Sequence, residues 1–130
     1  MDEITAGLTG EMSMTVREND TAESWGSGLV PVLGTPTLVA LMENAAVEAL
    51  RGHLPSGQTS VGGRMDVRHL APTPVGMRVH ARAELHRADG RRLVFEIEAW
   101  DDVEQIGAAT HERFIVERES FVTKAASKAA

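Results

Sequence analysis

No cysteine occurs in the 130 residues. This removes disulfides, thiolate nucleophiles and thiolate metal sites in one step and makes a reducing cytoplasm the expected setting. Basic charge is also in short supply. The formal net charge is -6 at pH 7, and attraction to phosphate needs a net basic surface or a dense basic patch. Neither nucleic acid nor an anionic membrane is therefore an expected partner. The start, MDEITAGLTGEM, has neither a basic segment nor an apolar run, and no later stretch is long enough to cross a bilayer. Internal repeats are missing too. What is present, 42% hydrophobic and 25% charged residues, is ordinary for a folded globular chain, so residues 1–130 are expected to form a single domain with its own core.

Periodicity divides the chain. Met12, Met14 and Val16 alternate with polar neighbours, as in a half-buried strand over 12–17. Residues 20–34, rich in Gly, Ser and acidic side chains but carrying Trp25, Leu29, Val30 and Val32, are expected to form a long ordered loop or lid. The run PTLVALMENAAVEALR predicts a helix over 36–51, with Thr35 at the N-cap place, Pro36 first in the helix and Gly52 just beyond it. Thr37, Asn44, Glu48 and Arg51 project onto one face and apolar residues cover most of the rest. Strands are predicted over 61–69, 77–87, 92–100 and 105–117, with a tight turn at Asp89-Gly90. The tail, 123–130, is expected to fray. The fold class is α+β, an antiparallel sheet of about five strands on one long helix. Such a sheet cannot cover a helix that is apolar on nearly every side, so dimerisation that extends the sheet or pairs the helices is expected.

Three residues stand out. In the predicted strand 61–69, Val61, Gly63, Met65 and Val67 form the apolar row, and the next inward place is His69, just before a Pro-x-Pro-x-Gly break. Glu43 projects among Val39, Ala46, Val47 and Leu50, where an unpaired carboxylate would cost several kcal/mol, so it is expected to be paired, raised in pKa or at a cleft, unless it snorkels from the stripe edge. Thr35 sits where free N–H groups and the positive end of the helix dipole point outward, a place that suits a cap or a developing oxyanion. A hydroxyl, a carboxylate and an imidazole together are the parts of an acyl-transfer site. Gly62-Gly63 marks either a bulge or the close approach of a ligand. Arg113 suits a strand-surface ion pair, or equally a phosphate or carboxylate. His53, His80, His86 and His111 show no comparable setting, and no histidine pair has metal-ligand spacing, so no metal and no other cofactor are expected.

The runs LGTPTLVALMENAAVEAL, SVGGRMDVRHLAPTPVGMRV and ADGRRLVFEIEAWDDVEQIGAATHERFIV, spanning about 30–117, resemble the fluoroacetyl-CoA thioesterase-like branch of the hotdog-fold thioesterases. The resemblance implies an antiparallel sheet wrapped around one long helix, a dimer, and metal-independent hydrolysis of acyl-coenzyme A thioesters, coenzyme A being part of the substrate. It carries the catalytic Thr, Glu and His onto Thr35, Glu43 and His69, and the ligand-contacting Gly and Arg onto Gly62 and Arg113. It fades in the lid. There Leu29 or Trp25 approximates the aromatic residue that helps fluoroacetate-specific members select substrate, and preference for a fluorinated acyl group is not carried over.

The expected reaction is attack on the thioester carbonyl by Glu43, by a water it activates, or by Thr35 itself, with the helix start steadying the oxyanion and His69 moving protons. Thr35 and Glu43 are eight residues apart, about 12 Å along one helix axis. A site at the dimer interface follows, with the helix start from one protomer and Glu43 or His69 from the other. Arg64, Arg68, Arg78, Arg82, Arg91 and Arg92 are candidates for the coenzyme's phosphates. The rival readings are a non-catalytic acyl-CoA or small-ligand sensor and, ranked lower, a hydratase or dehydratase on the same fold. Whether dimers pair into tetramers is not legible.

Overall fold

Val79, Ala81, Ala83 and Leu85 are all buried, as are Leu93, Phe95, Ile97 and Ala99, so the period-two runs of the sequence become strands with one face on a core. In the computed structural model, which describes residues 4–129, the elements run β1 (Thr9–Thr15), α1 (Ala22–Trp25), α2 (Thr35–Ala49), β2 (Gln58–His69), β3 (Arg78–Asp89), β4 (Arg92–Asp101), β5 (Gln105–Glu117) and α3 (Arg118–Ala126). The strands form one antiparallel sheet in the order β1-β3-β4-β5-β2. The turn at Asp89-Gly90 joins β3 to β4, with Gly90 at φ 60°. That leaves β2 as an edge strand.

The single long helix, α2, packs chiefly on β1 and β3. Leu38, Leu41, Met42, Ala45, Ala46 and Ala49 enter one cluster with the inner residues of β3 and β4. Close seating depends on Gly10 in β1, where a Cβ would overlap the backbone of Ala45 and Ala49. The sheet does not reach round the helix. Ala40, Asn44 and Val47 are exposed, Val39 and Glu43 half-buried, so an uncovered stripe faces the β2 edge.

Several boundaries differ from the sequence reading. The first strand spans 9–15 rather than 12–17, and β2 starts three residues earlier than predicted, at Gln58. Helix α2 is capped by the Gly34 backbone without a side-chain cap bond, and Thr35 is already its first helical residue. Thr37, expected on the polar face, is buried: its hydroxyl donates to the Asp20 carbonyl at 3.0 Å and accepts from Trp25 Nε1 at 2.9 Å. Those two bonds tie the lid to the first turn of α2. Within the lid Thr21 caps α1 by accepting from the Ser24 N–H, the bridge Thr21–Leu33 closes the lid's two ends on each other, and the bridge Val32–Pro74 ties it to the body. Residues 123–129, where a frayed tail was expected, carry the end of α3 and a helical turn, every residue exposed; Ala130 lies outside the described residues. Among the described residues no helix is long and apolar enough to cross a membrane.

Candidate active site

The inner face of β2 changes phase in mid-strand. Gly62 pairs with Arg113 and Arg64 with Glu112, so Gly63 is an extra, bulged residue. Before the bulge the even position Gly62 faces the helix; after it the odd positions Met65, Val67 and His69 do, opposite His111, Ala109 and Gly107. The alternation expected from the sequence, with Val61 and Gly63 inward, therefore fails at that point. Gly63 lies against the Phe114 ring on the other side of the sheet.

His69 ends β2 where α2 begins. Thr35 Oγ1 lies 2.8 Å from His69 Nδ1, within the one chain. Val32, Leu70, Ala71 and Pro72 complete an open, mainly apolar hollow around the pair. Burial pushes the His69 pKa below the usual 6.5, with the Ala71 backbone pulling the other way. Burial thus favours the neutral ring, the form able to accept a proton. Its Nε2 is buried without a hydrogen-bond partner among the described residues.

Glu43 keeps different company. Its Oε2 lies 3.9 Å from Arg113 Nη1, and a Cβ on Gly62 would stand 2.9 Å from the same oxygen. The bare Cα of Gly62 thus leaves the room in which the carboxylate sits. In the single chain the Glu43 side chain is 40% exposed. It is therefore neither sealed in an apolar setting, as its projection suggested, nor far from a partner. Arg113, for which a strand-surface ion pair and a carboxylate or phosphate partner were equally open, turns inward and is buried: Nε donates to Ser60 Oγ at 2.8 Å and Nη2 to the Ser60 carbonyl at 3.0 Å. A second open hollow, lined by Val47, Leu50, Leu54, Thr59 and Ser60, adjoins this side. Glu43 forms no hydrogen bond or ion pair with Thr35 or His69 among the described residues.

The sequence reading passed over His111, which is 1% exposed and lies directly against this cluster. Nδ1 is 2.7 Å from the Arg64 carbonyl and Nε2 is 3.1 Å from Arg113 Nη1. A carbonyl only accepts and a guanidinium only donates, so Nδ1 carries the proton and Nε2 is a lone pair. Burial lowers the His111 pKa, the Arg64 carbonyl opposes that, Arg113 adds to the lowering and Glu43 opposes it. The available signal was phase, since Gly107, Ala109, His111 and Arg113 alternate on one face of β5. By contrast, His80 lies 42% exposed on the outer sheet face between Ser13 and Glu11, and His86 is 51% exposed on the same strand.

Of the six candidate phosphate-binding arginines, Arg64, Arg82, Arg91 and Arg92 each have a carboxylate within 4.0 Å. Arg92 is held bidentately by Glu112 at 3.0 and 2.8 Å. Arg68 and Arg78 make no ion pair among the described residues. No group of three or more His, Asp or Glu side chains there is arranged to hold a metal.

The family profile described as FlK, fluoroacetyl-CoA-specific thioesterase, matches residues 16–119. A fluoroacetyl-CoA thioesterase from Streptantibioticus cattleyicolor is 41% identical over 97 residues, 75% of this chain and 70% of that protein. A solved structure of the fluoroacetyl-CoA thioesterase FlK superposes with a TM-score of 0.90 at 33% identity, covering 98% of each chain. A Thermus thermophilus thioesterase superfamily member gives 0.89 at 26% identity, over 98% of this chain and 97% of that one. With a profile match running from the end of β1 into α3, the chain belongs to the fluoroacetyl-CoA-specific thioesterase family and has its hotdog fold.

Proposed function

We propose that the protein hydrolyses a small acyl-CoA thioester in the cytoplasm, without metal or added cofactor, at a site that two protomers build together. Family membership supplies the reaction class. The observation that carries the composite site is the split within one chain: Thr35 and His69 are hydrogen-bonded to each other, while Glu43, on the same helix, turns to Gly62 and Arg113. One rigid helix keeps Thr35 and Glu43 about 12 Å apart along its axis. The missing carboxylate at the Thr35–His69 hollow is then the partner's Glu43. Two copies meet through the edge strand β2 and the uncovered stripe of α2, which pairs the open backbone of β2 and covers Val47.

In this site the thioester carbonyl lies at the start of α2, where the Thr35 hydroxyl and free N–H groups stabilise the developing oxyanion. Attack by Glu43 on the carbonyl carbon breaks the C–S bond and leaves a mixed anhydride, which one water hydrolyses to the free acid and the restored carboxylate; in the other course Glu43 takes a proton from a water that attacks directly, and C–S cleavage gives the free acid at once. In both, His69 relays the proton given up by that water to the coenzyme A thiolate. The acyl group lies among Val32, Leu70, Ala71 and Pro72, Val32 being the lid's contribution, a setting for a short apolar or fluorinated chain. Arg68, next to His69 in sequence but on the outer face of β2 and free of ion pairs among the described residues, is a candidate for a coenzyme phosphate at the rim of the site.

The test is free-thiol release from a panel of short acyl-CoAs, fluoroacetyl-CoA included, for the wild type, Glu43→Gln and His69→Ala. We expect turnover by the wild type and a fall in kcat of about a hundredfold or more in each variant. Undiminished hydrolysis in both variants would remove the site assignment. Tight binding by the wild type with no turnover would make the protein a sensor.

A further inference from the structure

We propose that His111 is a positioning residue, whose unprotonated Nε2 fixes the Arg113 guanidinium so that its Nη1 faces Glu43. The inference rests on the reading of Glu43 as catalytic, and adds a buried relay that reaches from the β2 bulge to the carboxylate. Pairing between β2 and β5 resumes at Arg64 after the bulge, and the Arg64 carbonyl takes the His111 Nδ1–H at 2.7 Å. The ring is thereby locked as the Nδ1–H tautomer, with its lone pair on the side of Arg113.

Arg113 is held on three sides: Nε by Ser60 Oγ, Nη2 by the Ser60 carbonyl, and Nη1 by His111 Nε2 at 3.1 Å. Its side chain is 7% exposed, and Glu43 is its ion-pair partner, at 3.9 Å, among the described residues. A buried guanidinium whose other contacts are all neutral directs its field at that carboxylate. Remove the acceptor at Nε2 and Nη1 loses its anchor; the fixed charge beside Glu43 is then free to turn away. Arg113, Glu43 and the Arg64 carbonyl are the charged or polar groups that face the ring, and the Phe95 ring lies tilted near it at 6.4 Å between centroids. Burial and the adjacent guanidinium both oppose protonation of the ring, so the accepting lone pair is kept.

Asn and Gln separate this role from simple packing, because an Asn amide reaches only the Nδ1 place whereas a Gln amide reaches the Nε2 place. In thiol-release assays on the intact protein, His111→Asn is expected to lower kcat about tenfold or more with KM changed less than about twofold, while His111→Gln stays within about threefold of wild type. Arg113→Lys should reproduce His111→Asn, and adding His111→Asn to Arg113→Lys should cost less than about twofold more. Equal kcat for the Asn and Gln variants, or additive losses with Arg113→Lys, would overturn the proposal. A readout free of activity is the imidazole nitrogen-15 spectrum of the wild type: an Nδ1–H tautomer assigned to His111 near neutral pH is expected, and an Nε2–H or doubly protonated ring would overturn it. Glu43→Gln in the same series separates the two claims. If that variant is inactive and His111→Asn is normal, only the relay fails; if Glu43→Gln turns over normally, the reading of Glu43 itself fails.

Discussion

At the scale of single residues, two histidines set how the fold responds to acid. His69 and His111 both have pKa values pushed below 6.5 by burial. When the folded pKa lies below the unfolded one, the unfolded chain takes up protons first as pH falls. Stability present above about pH 6.5 is then lost progressively toward the depressed folded values. Glu112 does not obscure that window, since its hydrogen bond to Arg92 holds its carboxyl below the usual 4.5. Urea denaturation at pH 7.5 and pH 5.5 should show the lower stability at pH 5.5, with the difference reduced in His111→Gln; equal stability at both would contradict this. Gly62 is the second case. In Gly62→Ala the new methyl would stand 2.9 Å from Glu43 Oε2 and 3.3 Å from His111 Cε1, so kcat should fall about tenfold or more while the melting temperature moves little. An unchanged rate would mean that the carboxylate needs no such room. As candidates, Glu43 and His69 stand out because each breaks its local pattern, and Thr35 because it stands at the helix start. His111 was passed over because, flanked by Thr110 and Glu112, it looks solvated; its phase with Gly107 and Ala109 was the one signal, and the register of β5 against β2 makes that signal decisive.

Among the elements, the lid and β2 were the hardest to read. The lid has little hydrophobic periodicity, because long-range polar bonds help fix it: Trp25 Nε1 to Thr37 Oγ1, and Thr37 Oγ1 to the Asp20 carbonyl. Thr37→Val keeps the shape and removes both bonds, so it should cost about 1–3 kcal/mol and speed proteolysis within residues 20–34. Denaturation and limited proteolysis indistinguishable from wild type would show that the bridges Thr21–Leu33 and Val32–Pro74 hold the lid without help. In β2 the Gly-Gly pair announced an irregularity, but not its phase. Which glycine faces inward depends on pairing with β5, a contact across some fifty positions of the chain. Helix α2, by contrast, was legible almost to its ends, since its signals are local: Pro36 at the start, a run of strong helix formers, and Gly52 after the close.

Over the whole molecule, the α+β class and the strand sequence were legible because short turns and period-two runs leave little else to build. The unfinished surface was legible too. One sheet cannot cover α2, and Val47 remains 45% exposed on the open stripe beside the free edge of β2. Sedimentation of the wild type should give a dimer, and Val47→Glu should weaken the dimer about tenfold or more and lower activity with it. A fully active wild-type monomer would contradict the shared site. The most direct measurement is complementation between two inactive variants, one carrying Thr35→Ala and His69→Ala, the other Glu43→Gln. When the two are unfolded, mixed equally and refolded, about half the dimers are mixed and each holds one intact site, so about a quarter of the wild-type rate should return. Mixtures as inactive as the separate variants, with mixed dimers verified, would place all three groups of each site in one chain and contradict the account.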